Sequence, residues 1–149
     1  MLKQLSIALL GLGLAGAAAA SATEAGTVKT AKGAVTIERA GQKIAAAPGA
    51  KVHAADRVLT GADGSVGITL RDNTVLSAGP NSTLALEKFA FDSTTHAGAI
   101  DATLKRGTLS VISGKIAKAS PDAVTFRTPT TTLGVRGTEF VIEAADRGD

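Results

Sequence analysis

The chain reads as an all-β protein. Its short strands are expected to form a β-solenoid-like or twisted two-sheet sandwich, placed after an N-terminal signal peptide. Three observations predict this. After residue 22 no stretch sustains the 3.6-residue apolar period of a helix face, while apolar and polar residues alternate repeatedly. Turn signals separate these runs at roughly the 8–12-residue spacing of sandwiches, barrels and solenoids. The apolar side chains are also small: 44% of the residues are hydrophobic, yet the only aromatics are four Phe, so Val, Ile, Leu and Ala must fill thin stacked sheets. No regular internal repeat is visible, which argues against a repeat protein with a fixed period.

Length and charge narrow the function classes. At 149 residues the chain holds one domain rather than two. The net charge of +3 includes Lys3 and is spread without runs, so there is no basic patch of the kind that grips phosphates. With no Trp or Tyr there is no platform for stacking bases. The absence of Cys removes disulfides, thiolate metal sites, a Cys nucleophile and a lipid-attachment Cys from consideration.

Residues 1–22 have the pattern of an export signal. Lys3 supplies the positive start, Leu5 to Ala20 is apolar, and Ala20-Ser21-Ala22 is a small-x-small cleavage site. A membrane span needs about 20 apolar residues, and this run is interrupted by Gly11, Gly13 and Gly16 with no cationic flank after it. The expected organisation is therefore a signal peptide over 1–22 and one all-β domain over 23–149, periplasmic or secreted, with no stable membrane span after cleavage.

The domain opens with a short strand over Val28–Thr30 and a clearer one over Ala34–Arg39, where Val35 and Ile37 share a face. Ala40-Gly41-Gln42 turns the chain into Lys43–Ala45, and Pro48-Gly49 suits the centre of a type II turn. Val52 to Ala55 is ambiguous between a helical turn and a strand. Val58–Thr60 is extended and Gly61–Gly64 is a tight connection. Ser65–Leu70 alternates, with Val66, Ile68 and Leu70 inward. Asp72-Asn73-Thr74 turns, helped by residues that tolerate left-handed backbone. Val75–Ser77 follows, then a turn at Ala78–Asn81. Thr83–Phe91 is the longest strand predicted. Its apolar parity switches from Leu84 and Leu86 to Phe89 and Phe91, which predicts a bulge near Glu87-Lys88. Ala99–Leu104 and Thr108–Ile112 are read as a hairpin around Lys105-Arg106-Gly107. Ser113–Asp122 is weakly patterned and is read as mobile surface.

Ala123–Arg127 leads into the most specific run, Thr128-Pro129 through Ile142. Pro129 lacks the N–H that a ladder needs, so a strand ends or bends there. The threonines and Leu133 resume extended backbone. Gly134 and Gly137 bracket Val135-Arg136 and permit a tight corner, which a β-branched residue at 137 would disrupt. From Thr138 the alternation is strict. Thr138, Phe140 and Ile142 face one way, and Glu139, Val141 and Glu143 the other.

Thr128-Pro129 and Val135-Arg136-Gly137-Thr138-Glu139-Phe140 resemble the signature of the FecR domain family, a Thr-Pro followed by a short strand and Val-Arg-Gly-Thr-x-Phe. Pro48-Gly49, Arg57–Gly61, Ser65–Leu70, Asp72-Asn73-Thr74 and Pro80-Asn81-Ser82-Thr83 resemble its earlier segments, so the resemblance spans roughly residues 27 to 144. It implies a non-catalytic envelope module, since the best-known relatives couple an outer-membrane iron-siderophore receptor to a sigma factor. Such regulators carry a cytoplasmic segment and a stable span, neither of which is expected here. The expectation is thus a binding or scaffold module in envelope sensing or iron-uptake-type signalling, contacting another envelope protein through open strand edges. Relatives usually add a hairpin after the signature, so the expectation is either that Thr138–Ala144 is a sheet edge or that the chain is a shortened version.

The motif residues Thr128, Pro129, Val135, Arg136, Gly137, Thr138 and Phe140 are the candidate structural or partner-contact set. Two readings of Arg136 stay open: an exposed guanidinium for a partner's carboxylate or carbonyls, or a lock on the corner through Glu139 or Glu143. No cofactor and no metal are expected. His53 and His96 lie apart without further ligands at hand, and Asp63, Asp72 and Asp92 sit where turns favour Asp. No Gly-x-Ser-x-Gly elbow is present, so no enzyme is expected. The alternative is an envelope or surface protein that binds glycan or assembles with itself, weakened by the lack of Trp and Tyr for stacking on sugar rings.

Overall fold

A computed structural model describes residues 24–134 and 139–145. The expected signal peptide lies outside them. The described chain is nearly all β. Its strands are β1 Glu24–Lys32, β2 Val35–Arg39, β3 Gln42–Ala45, β4 Lys51–His53, β5 Arg57–Thr60, β6 Ser65–Leu70, β7 Val75–Ala78, β8 Thr83–Phe91, β9 Gly98–Ile112, β10 Val124–Arg127, β11 Thr132–Gly134 and β12 Glu139–Ala144. One short helix, α1 Lys115–Ala119, and a 3₁₀ turn at Pro121–Ala123 interrupt them.

The strands form one hydrogen-bonded sheet curled into a half-barrel, in place of stacked rungs or two facing sheets. Its main path runs β3-β2-β5-β8-β9-β7-β6-β1-β4. β9 is the spine. The β8 registers pair Phe91 with Gly98 and Thr83 with Arg106, and the β7 registers pair Ala78 with Leu109 and Val75 with Ile112. β7 and β8 therefore lie end to end along the same side of β9, both antiparallel to it. On the other side β10 runs parallel to residues 100–103, and β12 runs antiparallel to residues 107–112.

Several expectations are corrected here. Lys105-Arg106-Gly107 is not a hairpin turn, because β9 passes through it unbroken. Gly107 takes a positive φ of +93°, which glycine adopts at no steric cost. The neighbouring strand bends at the same level through Gly79–Ser82, so both strands veer together and neither reverses. Ser113–Asp122 is ordered as α1 and the 3₁₀ turn, and Ile116 is fully buried. Val52 lies in strand β4, and β1 is longer than Val28–Thr30 because β6 and β4 pair with it on opposite sides.

Other local readings hold. Ala40 and Gly41 both have positive φ, 51° and 79°, as a two-residue hairpin between β2 and β3 demands. The Ala50 N–H donates to Ala47 O across Pro48-Gly49 at 2.9 Å, and Gly49 has φ +94°. The β8 register shifts between Leu86 and Lys88, at the bulge that the parity switch predicted.

Alternation puts one face of every long strand inside the curl. β6 is the clearest, with Val66, Ile68 and Leu70 buried. Leu76, Leu84, Leu86, Ile100, Leu104, Leu109, Ile116 and Phe126 complete the middle of a single apolar cluster. Burying one such side chain contributes about 1.5–3 kcal/mol.

Candidate functional site

β10 and β11 form an antiparallel hairpin in which Phe126 pairs with Leu133 and Arg127 with Thr132. Thr128–Thr131 is its turn. Thr128 N donates to Thr131 O at 2.7 Å, and Thr128 Oγ1 accepts from Thr131 N at 3.1 Å. Pro129 sits exposed in this turn, where no ladder needs an N–H. The hairpin is anchored from below by Phe126, 1% exposed, and at its flank by an Arg127–Asp101 ion pair of 3.4 Å.

β12 follows the hairpin along the same side of β9. Val135, Arg136, Gly137 and Thr138 lie outside the described residues. Within β12 the predicted alternation is seen: Ile142 and Ala144 are buried, while Glu139, Val141 and Glu143 face out. Phe140 is half-buried and packs edge-to-face on Phe126, with ring centroids 5.5 Å apart. The structure thus joins the motif's Phe140 to the strand that leads into the motif through an aromatic pair, worth about 0.5–1.5 kcal/mol beyond its buried area. Thr128 and Pro129 stay at the hairpin tip.

Among the described residues β12 pairs with β9 alone, so its far side has no strand partner. Its outer face carries unusual apolar exposure. Val141 is 70% exposed and Ile112 is 45% exposed. Ile112 lies opposite Glu139 and Val141 opposite Ser110, so the two apolar side chains are diagonal neighbours on one face. Ile112 was not singled out from sequence. The available signal was its parity, opposite to that of the buried Leu109 and Val111.

Two polar clasps that sequence reasoning missed fix the bend of β9 and the start of α1. In the first, Thr60 Oγ1 donates to Gly79 O at 2.6 Å and accepts from Ser82 N at 2.9 Å. Ser82 Oγ accepts from Thr108 N at 3.0 Å and has two acceptors in reach for its one hydrogen, Thr108 O at 3.2 Å and Pro80 O at 3.3 Å. These bonds tie β5, the bend between β7 and β8, and the bend in β9. A Cβ at Gly107 would press on Ser82 Oγ and lie 2.5 Å from Ser82 Cα.

In the second clasp the fully buried Asp72 gathers three donors: Thr74 N at 3.1 Å, Thr74 Oγ1 at 2.7 Å and Ile116 N at 3.2 Å. Lys115 N donates to Asp72 O at 2.8 Å, and Gly114 N to Thr74 Oγ1 at 3.1 Å. The first N–H groups of α1 thereby find acceptors that the helix itself cannot supply. The Asp-x-Thr turn was legible; its reach to α1 was not.

Other titratable groups serve the scaffold. Asp56, 1% exposed, accepts from Arg39 Nη2 at 2.8 Å, Arg39 Nε at 3.0 Å and His53 N at 2.8 Å. This bond raises the Arg39 guanidinium above its ordinary range. Backbone N–H groups of Thr94 and Thr95 hold the Asp92 carboxyl below its ordinary range. His96 stacks on Phe91, with centroids 6.1 Å apart. Among the described residues no three His, Asp or Glu side chains gather at metal-binding distance. No helix among them is long and apolar enough to cross a membrane.

A protein-family model, described as FecR protein, matches residues 56–149. The match begins at Asp56, so Pro48-Gly49 and strands β1 to β4 precede it, although β1 is bonded into the same sheet through β6. The comparisons with curated proteins and with solved structures gave no match.

Proposed function

Because the chain belongs to the FecR family, whose members are signalling and regulatory proteins, we propose that it is an exported, non-catalytic binding module. It works in the periplasm or outside the cell, where residues 1–22 direct it. Its partner is another envelope protein, and contact is made by an extended segment of that partner lying along the free side of β12. The observation that carries this reading is the combination at β12: one strand neighbour among the described residues, and Val141 exposed by 70%.

The chemistry is simple. A strand with unmatched N–H and C=O groups on one side can accept another strand, and backbone hydrogen bonds then supply the affinity. Outward side chains select the partner, because alternate residues of the added strand meet alternate residues of β12. Val141 gives that contact apolar area, worth about 25 cal/mol per Å² removed from water, and Ile112, on the strand behind it, is its diagonal neighbour. The Phe126–Phe140 pair and the buried Ile142 keep β12 on the body of the protein while it is engaged.

A photocrosslinking residue placed at Val141 in the expressing cell tests the reading. Thr69, on the sheet's interior strand β6, is the control position. One defined envelope protein should crosslink through position 141 and not through 69. Equal labelling at both positions, or none at 141, would remove the reading.

A further inference from the structure

The outer face of β12 says more about its occupant than that it is extended. Glu139 and Glu143 are both exposed and flank Val141 at two-residue steps on one face. The residues paired with them on β9 are Ile112 and Thr108, neither of which is charged. Beyond Ile112 the next strand presents Val75. Among the described residues neither glutamate forms an ion pair. Two carboxylates therefore stand four residues apart with an apolar side chain between them, beside a strand edge with no partner among the described residues.

Resting on the docking reading above, we propose that the segment β12 accepts comes from a different protein and alternates basic, apolar and basic residues. A Lys or Arg at each end of a five-residue stretch faces Glu139 and Glu143, and an apolar residue between them meets Val141. Opposite charges directly across a strand pair stabilise it, and like charges oppose it. The same rule argues against a second copy of this chain. Antiparallel pairing of two β12 strands centred on Val141 sets Glu139 of one against Glu143 of the other, twice over. Parallel pairing brings each glutamate beside its own counterpart. The acidic pair thus blocks self-association while leaving the edge open to a basic strand.

The test uses the full chain as purified from the expressing cell and three labelled heptapeptides. Each alternates threonine with a charged residue, valine and a second charged residue. The charged positions are both lysine, both glutamine or both glutamate. Fluorescence anisotropy gives affinity, and hydrogen exchange of residues 139–144 reports the location. The lysine peptide should slow exchange in β12 and bind about tenfold tighter than the glutamine peptide, the scale of two exposed ion pairs. The glutamate peptide should bind most weakly, and added salt should narrow the gap. In Glu139→Lys/Glu143→Lys the order should reverse.

If all three peptides protect β12 with equal affinity, charge selection is wrong and edge docking stands. If none protects β12, both are wrong. Protection of β12 that rises with protein concentration and without peptide would identify a second copy and overturn the proposal. So would a Glu139→Gln/Glu143→Gln chain that loses stability and keeps its peptide preference, since the glutamates would then serve the fold and not a partner.

Discussion

Gly107→Ala strikes the bend on which the half-barrel depends, and its effect can be worked from the structure. Gly107 has φ +93°, where an L side chain costs about 1–2 kcal/mol. The new Cβ would lie 2.5 Å from Ser82 Cα and 2.6 Å from Ser82 Cβ, so backbone must move and not merely a flexible tip. Overpacking of that kind costs about 1–3 kcal/mol. Moving Ser82 also strains the bonds its Oγ makes with Thr108, worth about 1 kcal/mol. The expected loss is about 3–6 kcal/mol, a large share of the roughly 5–15 kcal/mol that holds a domain folded. Gly49→Ala is the matched control. Its φ is +94° and no atom lies within 4 Å of the added Cβ, so it isolates the backbone cost of about 1–2 kcal/mol. Urea denaturation followed by circular dichroism measures both. Equal losses in the two variants would refute the claim that Ser82 and Gly107 form a closely fitted bend.

Three further outcomes are expected. Asp72→Ala leaves the Thr74 and Ile116 N–H groups without their acceptor in a fully buried site, so stability should fall by about 2–4 kcal/mol and hydrogen exchange over 115–119 should rise well above that of β6. Asp56→Ala removes the partner of the Arg39 guanidinium; Arg39 remains 31% exposed, which moderates the loss to about 2–3 kcal/mol, and a double-mutant cycle with Arg39→Ala should show coupling above about 0.5 kcal/mol. Asp92 has a lowered folded pKa, so its contribution to the 92–97 loop is complete above the unfolded carboxyl value and is lost as pH falls through the folded one; its carboxyl carbon, followed by NMR, should titrate below that of an Asp in an unfolded peptide.

Local chemistry in this chain was readable where it is governed by neighbours in sequence. The β6 alternation, the Ala40-Gly41 hairpin, the Pro48-Gly49 turn and the Glu87 bulge all follow from side-chain parity or φ preference. What was misread depends on distant partners. Lys105-Arg106-Gly107 has the composition of a turn, and only the matching bend at Gly79–Ser82 shows why β9 continues through it. α1 has a single buried residue, Ile116, and no helical period to notice, because its order comes from Asp72, more than forty residues earlier in the chain. The Arg39–Asp56 pair is equally silent in sequence, since two ordinary charges reveal nothing until the fold sets them 2.8 Å apart. At the candidate site the outward set Glu139, Val141 and Glu143 was legible from alternation alone. The exposure of Ile112 beside it needed the register of β9.

The most direct measurement is hydrogen exchange across residues 139–144, taken first on the free chain and then on the chain captured with the partner crosslinked at position 141. Amides of β12 should exchange faster in the free chain than those of β7, which has strands on both sides, and should slow to the β7 rate in the complex. Protection that appears on another edge, with β12 unchanged, would contradict the account.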